Sequence, residues 1–259
     1  MRVLLTLTEK MVDYFFAAIP RPKPLTDLAK NALLIAHRGA HNNKQGIFEN
    51  TRKAFQRAKD LGCWGIEFDV HCTADGVFVV QHDPHLMRLW QHNAAIADLS
   101  FNELRKLVPE IPTLEEVVRE YSNSLHLFIE LKTPIVDQQA LLKVLGSCEP
   151  IKDYHLLTLN PFFFANLDQF PNPGLLLVAV HNNVTQFCDL SIEKHYGGVL
   201  GNYLLLTNKQ RLRLAHAQQI FGVGFVNSKN SLYRELNRGI CWLFTNEAQR
   251  LMHDLRNLI

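Results

Sequence analysis

The residues best suited to catalysis fall within one short stretch of the chain. Glu67 and Asp69 alternate in an apolar, β-branched run, and His82 ends a second such run. The dipeptide Asp75-Gly76 between the two runs predicts a β-hairpin. A two-residue turn there places Asp69 directly opposite His82, on the face that Glu67 shares, whereas a three-residue loop would turn His82 away. Two carboxylates and an imidazole on one face are typical of a metal and acid–base site, not of a core hairpin.

Two other apolar runs also end in residues that suit catalysis. His37 and Arg38 follow the run 33–36, and Glu130 and Lys132 alternate at the end of a later run. Carboxylate oxygens are hard ligands, which suit Mg²⁺ or Ca²⁺ better than zinc. Two imidazoles suit a general base and a general acid near neutral pH, while an arginine and a lysine suit a phosphate anion. Together these residue types favour acid–base chemistry on a phosphate group beside a divalent cation.

Each of these residues also has a structural explanation. The histidines could be ordinary strand-end or surface residues, and the acids could form structural ion pairs, as Glu130 could with Lys132. The coincidence of all of them at three successive strand ends outweighs these separate explanations.

The elements that must position these residues follow from the alternation of apolar runs with helical patterns. Eight βα units predict an α/β fold, a distorted (β/α)8 TIM-type barrel whose site lies at the carboxyl ends of the strands. This count requires Val77–His82 to be the return arm of a long hairpin at the second strand rather than a wall strand. The length of 259 residues suits such a barrel. The predicted strands lie near 33–36, in the first arm of the hairpin stretch 65–84, and near 126–132, 154–158, 174–180, 197–201, 220–226 and 240–244.

The chain is predicted to form one domain over residues 1–259. Residues 1–30 are interpreted as an N-terminal capping helix and lead-in, with the helix over Lys10 to Ile19 plugging the amino-terminal end of the barrel. Residues 85–110 are interpreted as a short insertion before the second major helix. No linker-like or repeated stretch divides the sequence.

Composition excludes several classes of function. The formal charge of +2 shows no basic excess of the kind that nucleic-acid binders carry. No apolar run approaches the ~18 residues that a membrane span requires, so stable membrane insertion is not expected. Five cysteines without Cys-x-x-Cys spacing are typical of buried thiols in a reducing compartment. We therefore expect a cytoplasmic protein; the oligomeric state is left open.

An ordered set of motifs resembles one known family. From residue 34 to 132 the chain resembles the glycerophosphodiester phosphodiesterases, members of the phosphatidylinositol phospholipase C-like barrel superfamily. Beyond residue 132 only the regular succession of predicted strands matches the family. The motifs are His37-Arg38-Gly39, Glu49-Asn50-Thr51, Glu67-x-Asp69-Val70, Thr73-x-Asp75-Gly76, Val79-Val80-x-His82-Asp83, Ile111 to Val117 and Ile129-Glu130-Leu131-Lys132.

The resemblance implies a barrel that hydrolyses glycerophosphodiesters to glycerol 3-phosphate and an alcohol. It implies one divalent cation, Mg²⁺ or Ca²⁺, and a two-histidine mechanism in which the substrate's own glycerol hydroxyl attacks to give a cyclic phosphate. The implied metal ligands are Glu67, Asp69 and Glu130, the acid–base pair is His37 and His82, the phosphate contacts are Arg38 and Lys132, and Glu49 has a supporting role near the metal or the substrate glycerol.

The chain departs from the family pattern in three places. The insertion at residues 85–110 is comparatively short, so the identity of the leaving alcohol is not determined. The family often shows Trp-Thr-Val-Asn where this chain has Gly224 to Asn227, and Thr-Asp where it has Thr245-Asn246. These two changes are expected to touch the apolar wall and rim, not the catalytic set. A lysophospholipase D-like enzyme acting on monoacyl lipids and a non-catalytic phosphodiester-binding barrel remain alternatives.

Overall fold

Eight parallel strands form the wall of a closed barrel in the computed structural model, which describes residues 14–146, 148–180 and 182–259. The strands are β1 (Leu33–His37), β2 (Gly65–Cys72), β3 (Phe78–Val80), β4 (His126–Leu131), β5 (Tyr154–Thr158), β6 (Leu175–Ala179), β7 (Gly198–Asn202), β8 (Ile220–Gly224) and β9 (Trp242–Thr245). The sheet runs β1-β9-β8-β7-β6-β5-β4-β2, and β1 also pairs with β2, which closes it. The predicted TIM-type barrel is therefore confirmed.

Helices follow the strands and pack around the barrel. Thr51 caps one of them, and Thr113 with Glu116 forms the capping box that its spacing predicts. Each cap satisfies backbone N–H groups that the first helical turn leaves without a partner. The helices are α1 (Thr26–Lys30), α2 (Arg52–Asp60), α3 (Met87–Trp90), α4 (Phe101–Leu107), α5 (Leu114–Tyr121), α6 (Gln138–Leu145), α7 (Val184–Glu193), α8 (Asn208–His216), α9 (Lys229–Asn237) and α10 (Ala248–Arg256).

The apolar core has distinct parts. The largest cluster lies between the barrel wall and the helices, where Phe55 of α2 packs on Phe68 of β2. A second cluster includes Ile35, Phe128 and Phe244 from three different strands. These buried clusters fix the strands, and therefore fix the positions of the residues at the strand ends. A third, smaller cluster joins the insertion to the hairpin and contains Val79, Leu86, Ile96, Leu104, Val108 and Ile111.

The hairpin at β2 has a different register from the one predicted. The strand β3 pairs antiparallel with β2 outside the barrel, so it is not a wall strand. Val70 pairs with Val80, and Thr73 pairs with Val77 around a three-residue loop whose Gly76 has φ +83°. A left-handed glycine at the end of a three-residue loop is a common hairpin solution. The prediction that Asp69 directly faces His82 is therefore wrong.

The insertion after the hairpin forms α3 and α4 around its own small core. The first thirteen residues, which include part of the predicted N-terminal helix, lie outside the described residues. Residues 14–18 are helical, with Tyr14 and Phe15 side chains 80% and 64% exposed. Asn230, near the start of α9, donates a hydrogen bond to the carbonyl of Ala17 at 2.8 Å. This segment therefore packs beside the helix that follows β8, and its role as a plug stays a prediction.

Within the described ranges, none of the helices combines the length and the apolar character that crossing a bilayer would need.

Candidate active site

Three carboxylates meet at the carboxyl end of the barrel. Glu67 and Asp69 lie on β2, and Glu130 lies on β4 in register with Asp69. The carboxylate oxygens of the three side chains lie within 4.8 Å of one another, and all three side chains are buried. Alternation along β2 places Glu67 and Asp69 on one face, and the parallel pairing with β4 adds Glu130. The structure thus brings together the three acids that the sequence singled out.

The chemistry of this acid cluster fits a divalent cation. Burial raises the pKa of Glu67 well above its ordinary value, and the neighbouring carboxylates of Asp69 and Glu130 raise it further. Burial likewise raises the pKa of Glu130. Glu67 Oε1 is buried and accepts no hydrogen bond from any residue that the structure describes. Three hard oxygen donors, one of them without a partner, are what Mg²⁺ or Ca²⁺ would require.

Two basic side chains offset part of this negative charge. Lys132 Nζ lies 2.5 Å from Glu130 Oε1 and 3.0 Å from Asp69 Oδ1. Arg38 Nε lies 3.3 Å from Asp69 Oδ2. Although burial alone would raise the pKa of Asp69, the charges of Lys132 and Arg38 hold it well below its ordinary value. Both cations therefore sit at the centre of the site, where an anionic group would meet them.

His37 ends β1 beside the acid cluster. Its Nε2 lies 3.7 Å from Glu67 Oε2, and its Nδ1 lies 2.7 Å from Asn246 Oδ1. The Phe225 ring contacts the imidazole edge-on, with the ring centroids 5.3 Å apart. Burial, followed by the positive charge of Arg38, lowers the pKa of His37 to about 4. His37 is therefore a neutral imidazole at neutral pH, which is the protonation state of a general base.

His82 reaches the same site although the hairpin register differs from the predicted one. The last hydrogen bond between the two hairpin strands is donated by Gln81 N to Asp69 O at 2.9 Å. His82 follows directly after Gln81. Burial lowers the pKa of His82 overall, although the charge of Asp69 and the hydrogen bond with Asp83 oppose this shift. Its Nδ1 lies 2.7 Å from Asp83 Oδ1. Because a carboxylate only accepts hydrogen bonds, Nδ1 carries a proton and Nε2 remains for chemistry.

Glu49 lies at the edge of the acid cluster. Its Oε1 accepts from Arg38 at 3.0 Å and from Arg88 at 2.6 Å. Burial raises its pKa, but the hydrogen bond from Arg88 and the charge of Arg38 lower it overall. The side chain therefore holds two arginines and does not join the three clustered acids.

Several residues of the candidate site were not predicted from the sequence. Asn50 donates to Asp69 Oδ2 at 2.8 Å from a backbone with φ +59°, and Arg88 pairs with both Glu49 and Asp83. Asn246 and Phe225 contact His37, so the expectation that the changes at 224–227 and 245–246 touch only the wall and rim is wrong. The signal for Asn246 was present, because it is a polar residue directly after a strand in a predicted barrel.

A cleft of 410 Å³, lined mostly by polar residues, opens beside Asn246. It lies between the loop after β1 and the start of α10, and Asn246 is part of its wall. His41 Nε2 lies 3.4 Å from Asn246 Oδ1 within it. The cleft is lined by Ala40, His41, Asn42, Asn43, Lys44, Arg57, Asn246, Glu247, Ala248 and Gln249.

Comparisons with known proteins agree with this geometry. The sequence profile of the Glycerophosphoryl diester phosphodiesterase family matches residues 37–146. The chain is 39% identical over 116 residues to a glycerophosphodiester phosphodiesterase of Caldanaerobacter subterraneus, covering 40% of this chain and 46% of that protein. It is 36% identical over 112 residues to glycerophosphodiester phosphodiesterase 1 of Bos taurus, covering 38% of this chain and 33% of that protein. The matched segment thus spans less than half the length of these two relatives.

A solved structure matches over more of the chain. The structure of an Oleispira antarctica phosphodiesterase in complex with the product sn-glycerol-3-phosphate superposes with a TM-score of 0.70 at 20% identity. The match covers 86% of this chain and 96% of that chain. At this identity the match shows that the two chains share a fold.

Proposed function

We propose that this chain, whose residues 37–146 match the sequence profile of the glycerophosphoryl diester phosphodiesterase family, hydrolyses glycerophosphodiesters to glycerol 3-phosphate and an alcohol. One observation carries the proposal: three buried carboxylates lie beside a histidine that is held by an amide, at a site shared with a second histidine that is held by a carboxylate. The Oleispira relative, whose structure contains glycerol 3-phosphate, has the same fold.

His37 is proposed as the general base. With Nδ1–H donating to Asn246 Oδ1, the lone pair of Nε2 is on the side of the acid cluster. This nitrogen would take the proton from the glycerol hydroxyl of the substrate as that oxygen attacks phosphorus. Its low pKa keeps it unprotonated and ready for that step at neutral pH.

His82 is proposed as the general acid. The Asp83 carboxylate that accepts from Nδ1–H favours the imidazolium form. Its Nε2–H would give a proton to the oxygen of the leaving alcohol as the phosphorus–oxygen bond breaks. In the second step, in which water opens the cyclic phosphate, the two histidines would exchange roles and regain their starting protonation states.

Glu67, Asp69 and Glu130 are proposed to hold one divalent cation, Mg²⁺ or Ca²⁺, which when bound would neutralise charge that develops on the phosphoryl oxygens. Arg38 and Lys132 are proposed to bind the phosphate. Both side chains now pair with Asp69. The N–H groups of both side chains would also contact phosphate oxygens of a bound substrate. Glu49 keeps Arg38 oriented from its other side.

The chain is also proposed to act as one domain, in the cytoplasm, on a small diester rather than on nucleic acid. The first support is the continuous barrel that β1 to β9 form. The second is the formal charge of +2, which provides no basic surface excess.

The test is release of glycerol 3-phosphate from glycerophosphocholine and glycerophosphoethanolamine by the purified protein. We expect turnover with Mg²⁺ or Ca²⁺, and loss of turnover with a chelator and in His37→Ala. Turnover that survives both the chelator and the substitution would overturn the proposal. Binding of these diesters without turnover would instead indicate a non-catalytic barrel.

A monoacyl substrate is the second candidate, because apolar side chains are exposed at the carboxyl end of the barrel. Phe225 contacts His37 and is 40% exposed, and Phe162, in the loop after β5, is 84% exposed. An acyl chain could lie against such side chains, whereas the cleft beside Asn246 is polar. Assaying deacylated and monoacyl glycerophosphodiesters side by side separates the two. Faster turnover of the deacylated substrate would support the first proposal.

A further inference from the structure

We propose that Asn246 is a positioning residue for His37. Its amide oxygen fixes the tautomer and the plane of the His37 imidazole. This inference rests on the proposed function, since it assigns His37 Nε2 as the nitrogen that receives the substrate proton. The supporting observation is geometric: the 2.7 Å contact joins the carboxyl ends of β9 and β1, which are neighbours in the closed barrel.

Asn246 is itself held by its neighbours. Its backbone N–H donates to Asn227 Oδ1 at 2.9 Å, and the hydroxyl of Thr245 donates to the same oxygen at 3.2 Å. Asn227 follows β8, so one asparagine on the neighbouring strand end holds a second one that contacts the histidine. A side chain that is anchored in this way loses little conformational entropy when it holds its partner.

The contact determines which imidazole nitrogen carries the proton. An amide oxygen only accepts hydrogen bonds, so Nδ1 of His37 must be the protonated nitrogen and Nε2 carries the lone pair. The Nε2 atom lies 3.7 Å from Glu67 Oε2, on the side of the acid cluster. The opposite tautomer would turn an N–H toward the substrate and leave no base there.

Phe225 completes the positioning from a second direction. Its backbone has φ +63°, a conformation that L-residues other than asparagine, aspartate and glycine seldom adopt. The strained backbone places the ring against His37 at an interplanar angle of 81°. A hydrogen bond at Nδ1 and an aromatic contact on the ring together leave the imidazole one orientation.

A neutral partner suits this position. Glu67, Asp69 and Glu130 already crowd the neighbouring space, and a carboxylate at position 246 would add another negative charge beside them. An amide supplies the same acceptor geometry without that charge. His82, in contrast, has the carboxylate of Asp83 as its partner.

Three variants test the proposal. Asn246→Leu keeps the side-chain size but removes the hydrogen-bond acceptor. Asn246→Asp keeps an acceptor and removes the amide donor. Asn202→Ala removes another asparagine at a strand end. Asn202 accepts a hydrogen bond from the backbone of Leu204 at the end of β7 and is the matched control. Thermal melting of each variant shows whether it is folded. The readouts are kcat and KM with glycerophosphocholine, and the ¹⁵N chemical shifts of His37, which report the tautomer.

We expect Asn246→Leu to lower kcat by about 10²-fold with little change in KM, because a misplaced catalytic group costs roughly that much. The ¹⁵N shifts should show loss of the single Nδ1–H tautomer. Asn246→Asp should keep that tautomer and retain more activity than Asn246→Leu, and Asn202→Ala should resemble the wild type.

Unchanged kcat and an unchanged tautomer in Asn246→Leu would overturn the inference. A tautomer reversed in Asn246→Asp would also overturn it, because it would show that the amide donates rather than accepts. An inactive wild-type protein would refute the proposed function instead. In that case the ¹⁵N shifts of wild type and Asn246→Leu still decide the positioning role.

Discussion

Arg88 Nη2 lies 2.6 Å from Glu49 Oε1, which ties the insertion after the hairpin to the mouth of the barrel. The same guanidinium pairs with Asp83, the residue that accepts from Nδ1–H of His82. Arg88 thus links the partner of one histidine to Glu49, which in turn holds Arg38. The insertion therefore supports the side chains that are proposed for catalysis and borders the candidate site.

Arg88→Ala should lower activity by about 10- to 100-fold, the usual cost of removing a residue that orients catalytic groups. The reason is that Asp83 and Glu49 both lose their contact with Arg88. Asp83 then orients His82 less well, and Glu49 orients Arg38 less well. The measurement is kcat/KM with glycerophosphocholine. Arg105→Ala is the control, because Arg105 lies in the same insertion and pairs with Glu116 at 2.7 Å. Equal losses in both variants would argue against a specific role for Arg88.

His37→Ala and His82→Ala should each lower kcat by roughly 10²–10⁴-fold, the range for general acid–base groups. His216→Ala, an exposed residue at the end of α8, should leave kcat unchanged. The measurement is the steady-state kcat of each variant at a saturating concentration of divalent cation. If either active-site variant kept wild-type kcat, that histidine would not be transferring a proton.

Divalent cation should stabilise the wild-type protein against heat. Binding relieves the crowding of three buried carboxylates and adds about 2.7 kcal/mol to the free energy of unfolding at a hundredfold excess over Kd. Glu67→Gln should lose most of that gain, whereas the exposed Glu115→Gln should keep it. Melting temperatures are measured with chelator and across a Mg²⁺ or Ca²⁺ titration. A Glu67→Gln protein stabilised as much as the wild type would exclude Glu67 as a ligand.

Acid should destabilise the protein through a buried histidine pair at the amino ends of the strands. His126 Nε2 and His155 Nδ1 lie 2.8 Å apart. Burial lowers the pKa of His126 to about 4 and that of His155 to about 3, from an ordinary 6.5. The unfolded chain therefore binds more protons below pH 6.5. This contribution to the free energy of unfolding is complete above pH 6.5 and falls toward pH 4. For each histidine, the contribution falls by about 1.4 kcal/mol for every tenfold rise in proton concentration.

Urea unfolding between pH 4 and pH 7 measures this loss. His155→Leu should show a shallower fall in the free energy of unfolding than the wild type, because one of the two buried imidazoles is gone. His216→Leu, at an exposed position, should follow the wild-type curve. An unchanged slope in His155→Leu would mean that this pair does not control acid stability.

The fold class and the residues grouped at the candidate site follow from the sequence. Apolar runs alternating with helical patterns specify a barrel, and its strand ends must meet at one mouth. Glu67, Asp69 and Glu130 could therefore be grouped from their positions on two strands, because strand alternation and parallel pairing are local rules. The capping box at Thr113 followed from spacing in the same way.

The partners of those residues depend on the tertiary structure. Whether the loop at Gly76 holds two or three residues depends on how the hairpin packs on the insertion, and so Asp69 pairs with Gln81 rather than His82. Asn246 is more than two hundred residues from His37, and closure of the barrel brings β9 beside β1. Sequence periodicity fixes which face a side chain occupies, but contacts between distant strand ends and loops depend on the packing of the whole chain.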